Sequence, residues 1–89
     1  NIGGRLGDVI GTKLLRLAGR HQVVCITHLP QIAAYADRQF TVRKAVVRGE
    51  SVTTVTAIEG DERLAELAEM ISGKNPSRTT LKQAEEMLR

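Results

Sequence analysis

The sequence predicts an α/β fold that combines one buried strand with a β-hairpin and flanking helices. Apolar residues recur at helical spacing over residues 2–20. A run rich in β-branched residues, Gln-Val-Val-Cys-Ile-Thr-His at 22–28, is typical of a strand covered on both faces. Two further runs rich in Val and Thr, 39–47 and 51–58, flank the Arg-Gly-Glu triplet at 48–50, which predicts a hairpin turn.

The first helix carries glycines at Gly3, Gly7 and Gly11, which repeat every four residues and therefore share one face. Asn1 suits its N-terminal cap. Each internal glycine costs roughly 1 kcal/mol relative to alanine. We therefore expect a strand, another helix or a ligand to approach this face closely.

The remaining helices are predicted from their start and stop signals. Pro30 suits the first turn of a short helix over residues 30–36. Gly60 and Asp61 open a helix that ends at Gly73. Thr80 and Gln83 have the spacing of a capping box, which predicts the start of the last helix.

Composition limits the classes of function. The 89 residues suffice for one small domain, and only 2% of them are aromatic, which argues against stacking of bases as the main chemistry. One cysteine cannot form an internal disulfide, and no acidic cluster accompanies the two histidines, so no metal site is expected. No apolar run approaches the ~20 residues of a membrane span, and no signal peptide is evident, so we expect a cytoplasmic protein. The net charge of +3 permits a nucleic-acid partner.

His28 is the strongest candidate for chemistry. It ends the predicted strand and immediately precedes a predicted helix start, where the ligands of open α/β sheets bind. Its imidazole can donate to a phosphate oxygen or orient a water molecule. The alternative is a structural histidine that bridges backbone groups of the loop. The glycines and lysine of residues 7–13 do not have the order or spacing of a phosphate-binding loop.

Other polar and reactive residues have simpler interpretations. Cys25 is predicted to be a buried, inert thiol, and His21 to lie at a solvated helix end. The acidic residues between 59 and 69 suit a helix start and its solvent face. Basic residues around the hairpin could contact DNA phosphates, or they could protect a solvated strand edge. The candidates for DNA contact are Arg43, Lys44 and Arg48.

The stretch Val-Val-Cys-Ile-Thr-His-Leu-Pro-Gln-Ile-Ala-Ala at 23–34, together with Asn-Ile-Gly-Gly at 1–4, resembles a known family. Over essentially its whole length, 1–89, the chain is similar to the C-terminal part of a P-loop ATPase head in the SMC-like branch of ABC ATPases. The resemblance extends to the hairpin and to the two C-terminal helices. Because residue 1 is Asn and a helical pattern begins at once, we expect the chain to be one piece of a longer protein.

The resemblance implies roles for several residues. His28 corresponds to the switch histidine, which contacts the γ-phosphate of ATP and helps to order the attacking water. The end of the D-loop, which lies at the interface between two heads, corresponds to Asn1, Ile2, Gly3 and Gly4. The Walker A, signature and Walker B motifs are not in this sequence, so we expect the chain alone to hold no ATP or Mg²⁺ and to lack ATPase activity.

The resemblance also implies a cellular setting. An intact protein of this kind would bind ATP and Mg²⁺ and hydrolyse ATP in DNA double-strand break repair and recombination. Its partners would be the rest of the same head, a second head in a nucleotide-dependent dimer, and DNA. It would be associated with the bacterial nucleoid.

Three alternatives remain open at this point. The chain could be a head segment of another ABC or SMC-like ATPase. It could be a non-catalytic interaction module that pairs through the edges of its strand and hairpin, or a simple DNA-binding domain that uses the basic hairpin. Because the predicted inner strand needs neighbours, we expect the isolated chain to be marginally stable or oligomeric.

Overall fold

The computed structural model describes residues 2–88, with the backbone alone for residues 2–4. It combines helices with a two-stranded antiparallel sheet, in agreement with a mixed α and β composition. In chain order the elements are α1 (Ile2–Ala18), α2 (Pro30–Ala33), β1 (Gln39–Val47), β2 (Glu50–Ile58), α3 (Gly60–Ser72) and α4 (Arg78–Met87).

The β-hairpin lies where the sequence predicts it. Strands β1 and β2 pair along their whole lengths, with Val47 opposite Glu50 at the closed end. The two loop residues, Arg48 and Gly49, both have positive φ, at 52° and 81°. A type I′ turn requires this conformation, and its twist matches that of the flanking strands.

A small core lies between α2, α3 and α4. Its buried members are Ala33 of α2, Leu67 and Ala68 of α3, and Ala84 of α4. Leu67 is the one large side chain in the described part of the chain that is fully buried. Half-buried apolar residues surround this cluster: Ala34, Leu64, Met70, Ile71, Leu81 and Leu88. The core therefore fixes the position of α2, the short helix that follows His28.

Helix α1 packs on α2 through its glycines. Gly7 and Gly11 are buried, and a Cβ atom added to Gly7 would lie 2.7 Å from the Cβ of Gln31. A Cβ atom on Gly11 would overlap the ring of Tyr35. The hydroxyl of Tyr35 also donates a hydrogen bond to Asp8 Oδ1 at 3.3 Å. The glycine spacing allowed a strand, another helix or a ligand to approach this face of α1. In the structure the neighbour is another helix, α2.

The prediction of a buried strand at 22–28 is wrong for this chain. The segment forms neither helix nor strand, and Val24 and Ile26 are 84% and 99% exposed. Cys25 is likewise exposed, which contradicts its predicted burial. A strand of this kind needs a hydrogen-bonded neighbour on each edge, but neither of the two described strands pairs with this segment. The β-branched run therefore has no partner within residues 2–88.

The helix ends show both correct and incorrect predictions. Helix α3 ends at Gly73, whose φ of 90° strongly favours glycine, as predicted. Helix α4 begins one turn before the predicted capping box, because Ser77 is its N-cap and its Oγ accepts from the Thr80 amide at 3.2 Å. Ser77, directly after Pro76, thus caps the amide of Thr80, whereas Thr80 as the N-cap would have accepted from the amide of Gln83. Helix α2 is also shorter than predicted, and a turn replaces its last residues.

No helix within the described residues combines the length and the apolar character that crossing a membrane would require.

Candidate functional site

His28 lies on the loop between the irregular segment and α2, and its side chain is exposed. Its imidazole forms no hydrogen bond with the described side chains and backbone of residues 5–88, which gives no support to the interpretation as a bridge between backbone groups of the loop. The ring is therefore accessible to a ligand or to another part of a larger protein.

The backbone on both sides of His28 is held by a local hydrogen bond. The Leu29 amide donates to Thr27 Oγ1 at 3.0 Å, so the residues before and after the histidine are joined directly. The Leu29 carbonyl then accepts from the amides of Ile32 and Ala33, which starts α2. Leu29 is extended, as the residue before a proline must be, and Pro30 occupies the first helical position.

Arg63 forms hydrogen bonds at the C-terminal end of α2, the end away from His28. Its Nε donates to Oε1 of the buried Gln39 at 3.0 Å. Its Nη2 lies 2.8 Å from the carbonyl oxygen of Ala36 and 3.3 Å from those of Ala33 and Ala34. A guanidinium presents its donors in a rigid plane, which suits it to several carbonyl oxygens at once. The loop of His28 is thus supported from both ends of α2.

Sequence reasoning assigned no role to Thr27 or Arg63. The signal for Thr27 is its hydroxyl two residues before an amide in a loop, since Ser and Thr often accept a hydrogen bond at that spacing. The signal for Arg63 is its place in the first turn of α3, where acidic residues are favoured over basic ones. An arginine there indicates a specific partner, which the structure identifies as the end of α2.

One cavity of the described residues lies beside α2 and is not suited to a phosphate group. It has a volume of about 210 Å³ and lies between α1, α2 and the end of α4. It is lined by Asp8, Gln31, Ala34, Tyr35 and Met87. Asp8 is the one charged residue in this lining, and its negative charge would repel an anion. His28 is not part of the lining.

The three basic residues proposed for DNA contact do not form one patch. The side chain of Arg43 reaches from β1 to α3, where its Nη2 is 2.6 Å from Glu66 Oε2. The hydrogen bond and the charge of Glu66 raise the pKa of Arg43 above its ordinary value, while they also offset its positive charge. Lys44 follows Arg43 in β1 and so points to the opposite face, and Arg48 lies in the turn. All three are exposed, and contact with DNA remains a prediction.

The residues assigned to the end of the D-loop lie mostly outside the side chains that the structure describes. Asn1 lies outside the described residues, and Ile2, Gly3 and Gly4 are described as backbone within α1. Among the described side chains, no three His, Cys, Asp or Glu residues come close enough together to hold a metal ion.

Curated relatives match the chain over nearly its whole length. The chain is 45% identical over 87 residues to the DNA repair protein RecN of Streptomyces coelicolor, and 46% identical to that of Mycobacterium leprae. The protein of the same name from Deinococcus radiodurans is 45% identical. Each match covers 98% of this chain and about 15% of the relative. No protein-family model matches the chain.

Proposed function

Because this chain is homologous over nearly its whole length to a segment of the DNA repair protein RecN, we propose that it is the C-terminal part of a RecN-type ATPase head. The intact protein would bind and hydrolyse ATP in DNA double-strand break repair and recombination. This chain would contribute the switch histidine and the end of the D-loop.

The observation that carries the proposal is the exposed imidazole of His28 on a loop of defined geometry. A group that acts on a nucleotide bound elsewhere must be accessible, and its backbone must be fixed so that the ring stays in position. The Leu29–Thr27 hydrogen bond provides the second property. An imidazole N–H placed in this way can donate to a terminal phosphate oxygen and stabilise the charge that develops there.

ATP and Mg²⁺ would be held mainly by other parts of the head. The described residues offer a histidine that fits a phosphate oxygen, and the cavity beside α2 carries the acidic side chain of Asp8. ATP would supply the terminal phosphoryl group, and Mg²⁺ would offset its charge. The role of this chain is then to position one hydrogen-bond donor at the terminal phosphoryl group.

The rest of the head would also complete a sheet around residues 22–28. Val24 and Ile26 are almost fully exposed, although their β-branched side chains favour a strand covered on both faces. Neighbouring strands from the remainder of the protein would cover them and place His28 at the carboxyl end of the strand. Ligands of open α/β sheets bind at this edge.

The remaining partners follow from the same proposal. A second head would meet the D-loop end, Asn1 to Gly4, in a nucleotide-dependent dimer. DNA would be bound with help from Lys44 and Arg48, whose exposed cations form no ion pair with the described residues, and from Arg43. The protein would act in the cytoplasm, in association with the nucleoid.

Replacing His28 in the intact protein tests the proposal. His28→Ala should strongly reduce ATP turnover while ATP binding is retained, because the histidine stabilises charge that develops during reaction. His21→Ala is the matched control, since His21 is also exposed and lies seven residues upstream. The isolated 89-residue chain should show no measurable ATPase activity. Unchanged turnover in His28→Ala would overturn the assignment.

A second candidate, a non-catalytic interaction module, is favoured by one face of the hairpin. That face exposes four apolar side chains between 53% and 75%: Phe40, Val42, Val46 and Val55. Neighbours in a strand alternate between faces, so these four share a side of the sheet. A stable dimer that is indifferent to ATP, detected by sedimentation and a nucleotide-binding assay, would favour this candidate.

A further inference from the structure

Arg63 makes contacts that reach beyond its own helix. It lies in the first turn of α3 and is half-buried, and its guanidinium bonds to the carbonyl oxygens of Ala33, Ala34 and Ala36. The Nε bond to Gln39 fixes the plane of the guanidinium, which leaves Nη2 directed at these carbonyls. Gln39 is itself 8% exposed, so this anchor is shielded from solvent.

Helix α2 depends on contacts with the rest of the chain, which include the core packing of Ala33 and the hydrogen bonds of Arg63. It has four residues, and a helix this short does not persist without tertiary support. Its N-cap, Leu29, has no side chain that can accept from the first amides. The last carbonyl oxygens of any helix lack partners within the helix. Arg63 supplies charged donors at that end, and charge-assisted hydrogen bonds are stronger than neutral ones.

A continuous set of hydrogen bonds connects Arg63 with the loop of His28. Arg63 binds the Ala33 carbonyl, and the Ala33 amide donates to the Leu29 carbonyl at 3.1 Å. The Leu29 amide donates in turn to Thr27 Oγ1 at 3.0 Å. A shift of α2 away from Arg63 would therefore displace the residues on both sides of His28.

We propose that Arg63 is a positioning residue for His28. It contacts neither the imidazole nor the proposed nucleotide. It acts by holding α2, so that the loop of His28 stays in a single conformation. The inference rests on the proposed function of His28, because a positioned imidazole matters for turnover when it meets a phosphate group.

The test compares Arg63→Met with Arg63→Lys in the intact protein. Loss of the guanidinium should lower kcat for ATP hydrolysis by roughly 10- to 100-fold, the range expected when a catalytic group is displaced by about 1 Å. The KM for ATP should stay within about twofold, because ATP is held elsewhere. Arg63→Lys should recover part of kcat, since its ammonium can still donate to a carbonyl oxygen. Arg78→Met, at an exposed arginine of α4, is the matched control and should leave both constants unchanged.

The double variant with His28→Ala distinguishes a positioning role from a general loss of structure. If Arg63 acts through His28, Arg63→Met should cause no further decrease of kcat in the His28→Ala background. Independent, multiplicative decreases would overturn the inference while leaving the role of His28 intact. A normal kcat in His28→Ala alone would instead contradict the proposed function.

A third variant covers the case in which Arg63→Met does not fold. Gln39→Met removes the partner of Arg63 Nε but keeps the arginine, and it should lower kcat less than Arg63→Met does. In the His28→Ala background, Gln39→Met should cause no further decrease of kcat. Equal kcat values for the original protein, Arg63→Lys and Gln39→Met would count against the proposal.

Discussion

Gly11 of α1 and Tyr35 after α2 are in direct contact, and the ring of Tyr35 occupies the position that a side chain on Gly11 would take. Tyr35 also donates to Asp8 one turn earlier in α1. This contact joins α1, which includes residues proposed for the end of the D-loop, to the turn directly after α2. The spacing of Gly7 and Gly11 is thereby explained as a packing requirement between α1 and the segment that begins at α2.

Gly11→Ala should weaken the attachment of α1 to α2. In an isolated helix the same change stabilises by about 1 kcal/mol, because alanine has the higher helix propensity. Here the added methyl group overlaps an aromatic ring, and overpacking of this kind costs about 1–3 kcal/mol. Hydrogen exchange of the α1 amides in the intact protein should become faster.

Tyr35→Ala provides the control for this prediction, because it vacates the space that the new methyl group needs. In the Tyr35→Ala background, Gly11→Ala should no longer accelerate exchange and should slow it slightly. Slower exchange in Gly11→Ala alone would mean that the two helices do not approach each other as described.

Thr27→Val should reduce ATP turnover in the intact protein. Valine keeps the shape of threonine but removes the oxygen that accepts from the Leu29 amide. A hydrogen bond of this kind contributes about 1 kcal/mol, which corresponds to about a fivefold decrease of kcat if the whole effect falls on the positioned imidazole. Steady-state kinetics measure the change.

Thr27→Ser is the conservative variant for the same position, since serine retains the accepting oxygen. It should keep most of the turnover that valine loses. Equal losses in Thr27→Val and Thr27→Ser would indicate that the methyl group of the threonine, and not its hydrogen bond, matters.

The basic residues of the hairpin should contribute to the salt dependence of DNA binding. Each phosphate contact adds about 0.9 to the slope of log affinity against log salt concentration for duplex DNA. The double variant Lys44→Ala with Arg48→Ala should lower that slope in the intact protein, as measured by fluorescence anisotropy at several salt concentrations. Arg43→Ala should have less effect, because Glu66 already offsets its charge.

Arg16→Ala with Arg20→Ala is a control of equal charge change, at exposed positions of α1 and the turn that follows it. If both double variants lower the slope equally, net charge accounts for the effect and the hairpin is no specific DNA contact.

The isolated chain should self-associate or melt at low temperature. Its core is small, while Val24 and Ile26 expose β-branched side chains on a segment without paired backbone. Sedimentation and thermal melts at several concentrations should show association, and Val24→Ser with Ile26→Ser should diminish it. A cooperative monomer melt well above room temperature, independent of concentration, would contradict this expectation.

The elements predicted correctly are those whose causes are local in sequence. The turn at Arg48 and Gly49 and the helix end at Gly73 follow from backbone preferences of a few residues. The segment at 22–28 could not be predicted in the same way, because a strand forms only with a partner. The β-branched side chains of Val24 and Ile26 suit a strand that is covered on both faces. Residues 2–88 do not provide that cover.

The candidate site shows the same division. His28 is a candidate because of its place between a predicted strand and Pro30 and because of the resemblance to a known family. The structure lacks that strand within residues 2–88, and the role of His28 stays a prediction. Its support by Arg63 joins positions 27 to 30 residues apart and depends on how α2 and α3 pack. Sequence spacing alone carries no information about such a contact.

Chemical modification of the histidines in the intact protein tests the central claim most directly. Diethyl pyrocarbonate should modify both His21 and His28, because both are exposed in this chain. With Mg²⁺ and a non-hydrolysable ATP analogue, mass spectrometry should show protection of His28 and continued modification of His21, whereas ADP should protect His28 much less. Equal modification of His28 with the analogue, with ADP and without nucleotide would contradict the claim that its imidazole faces the terminal phosphate.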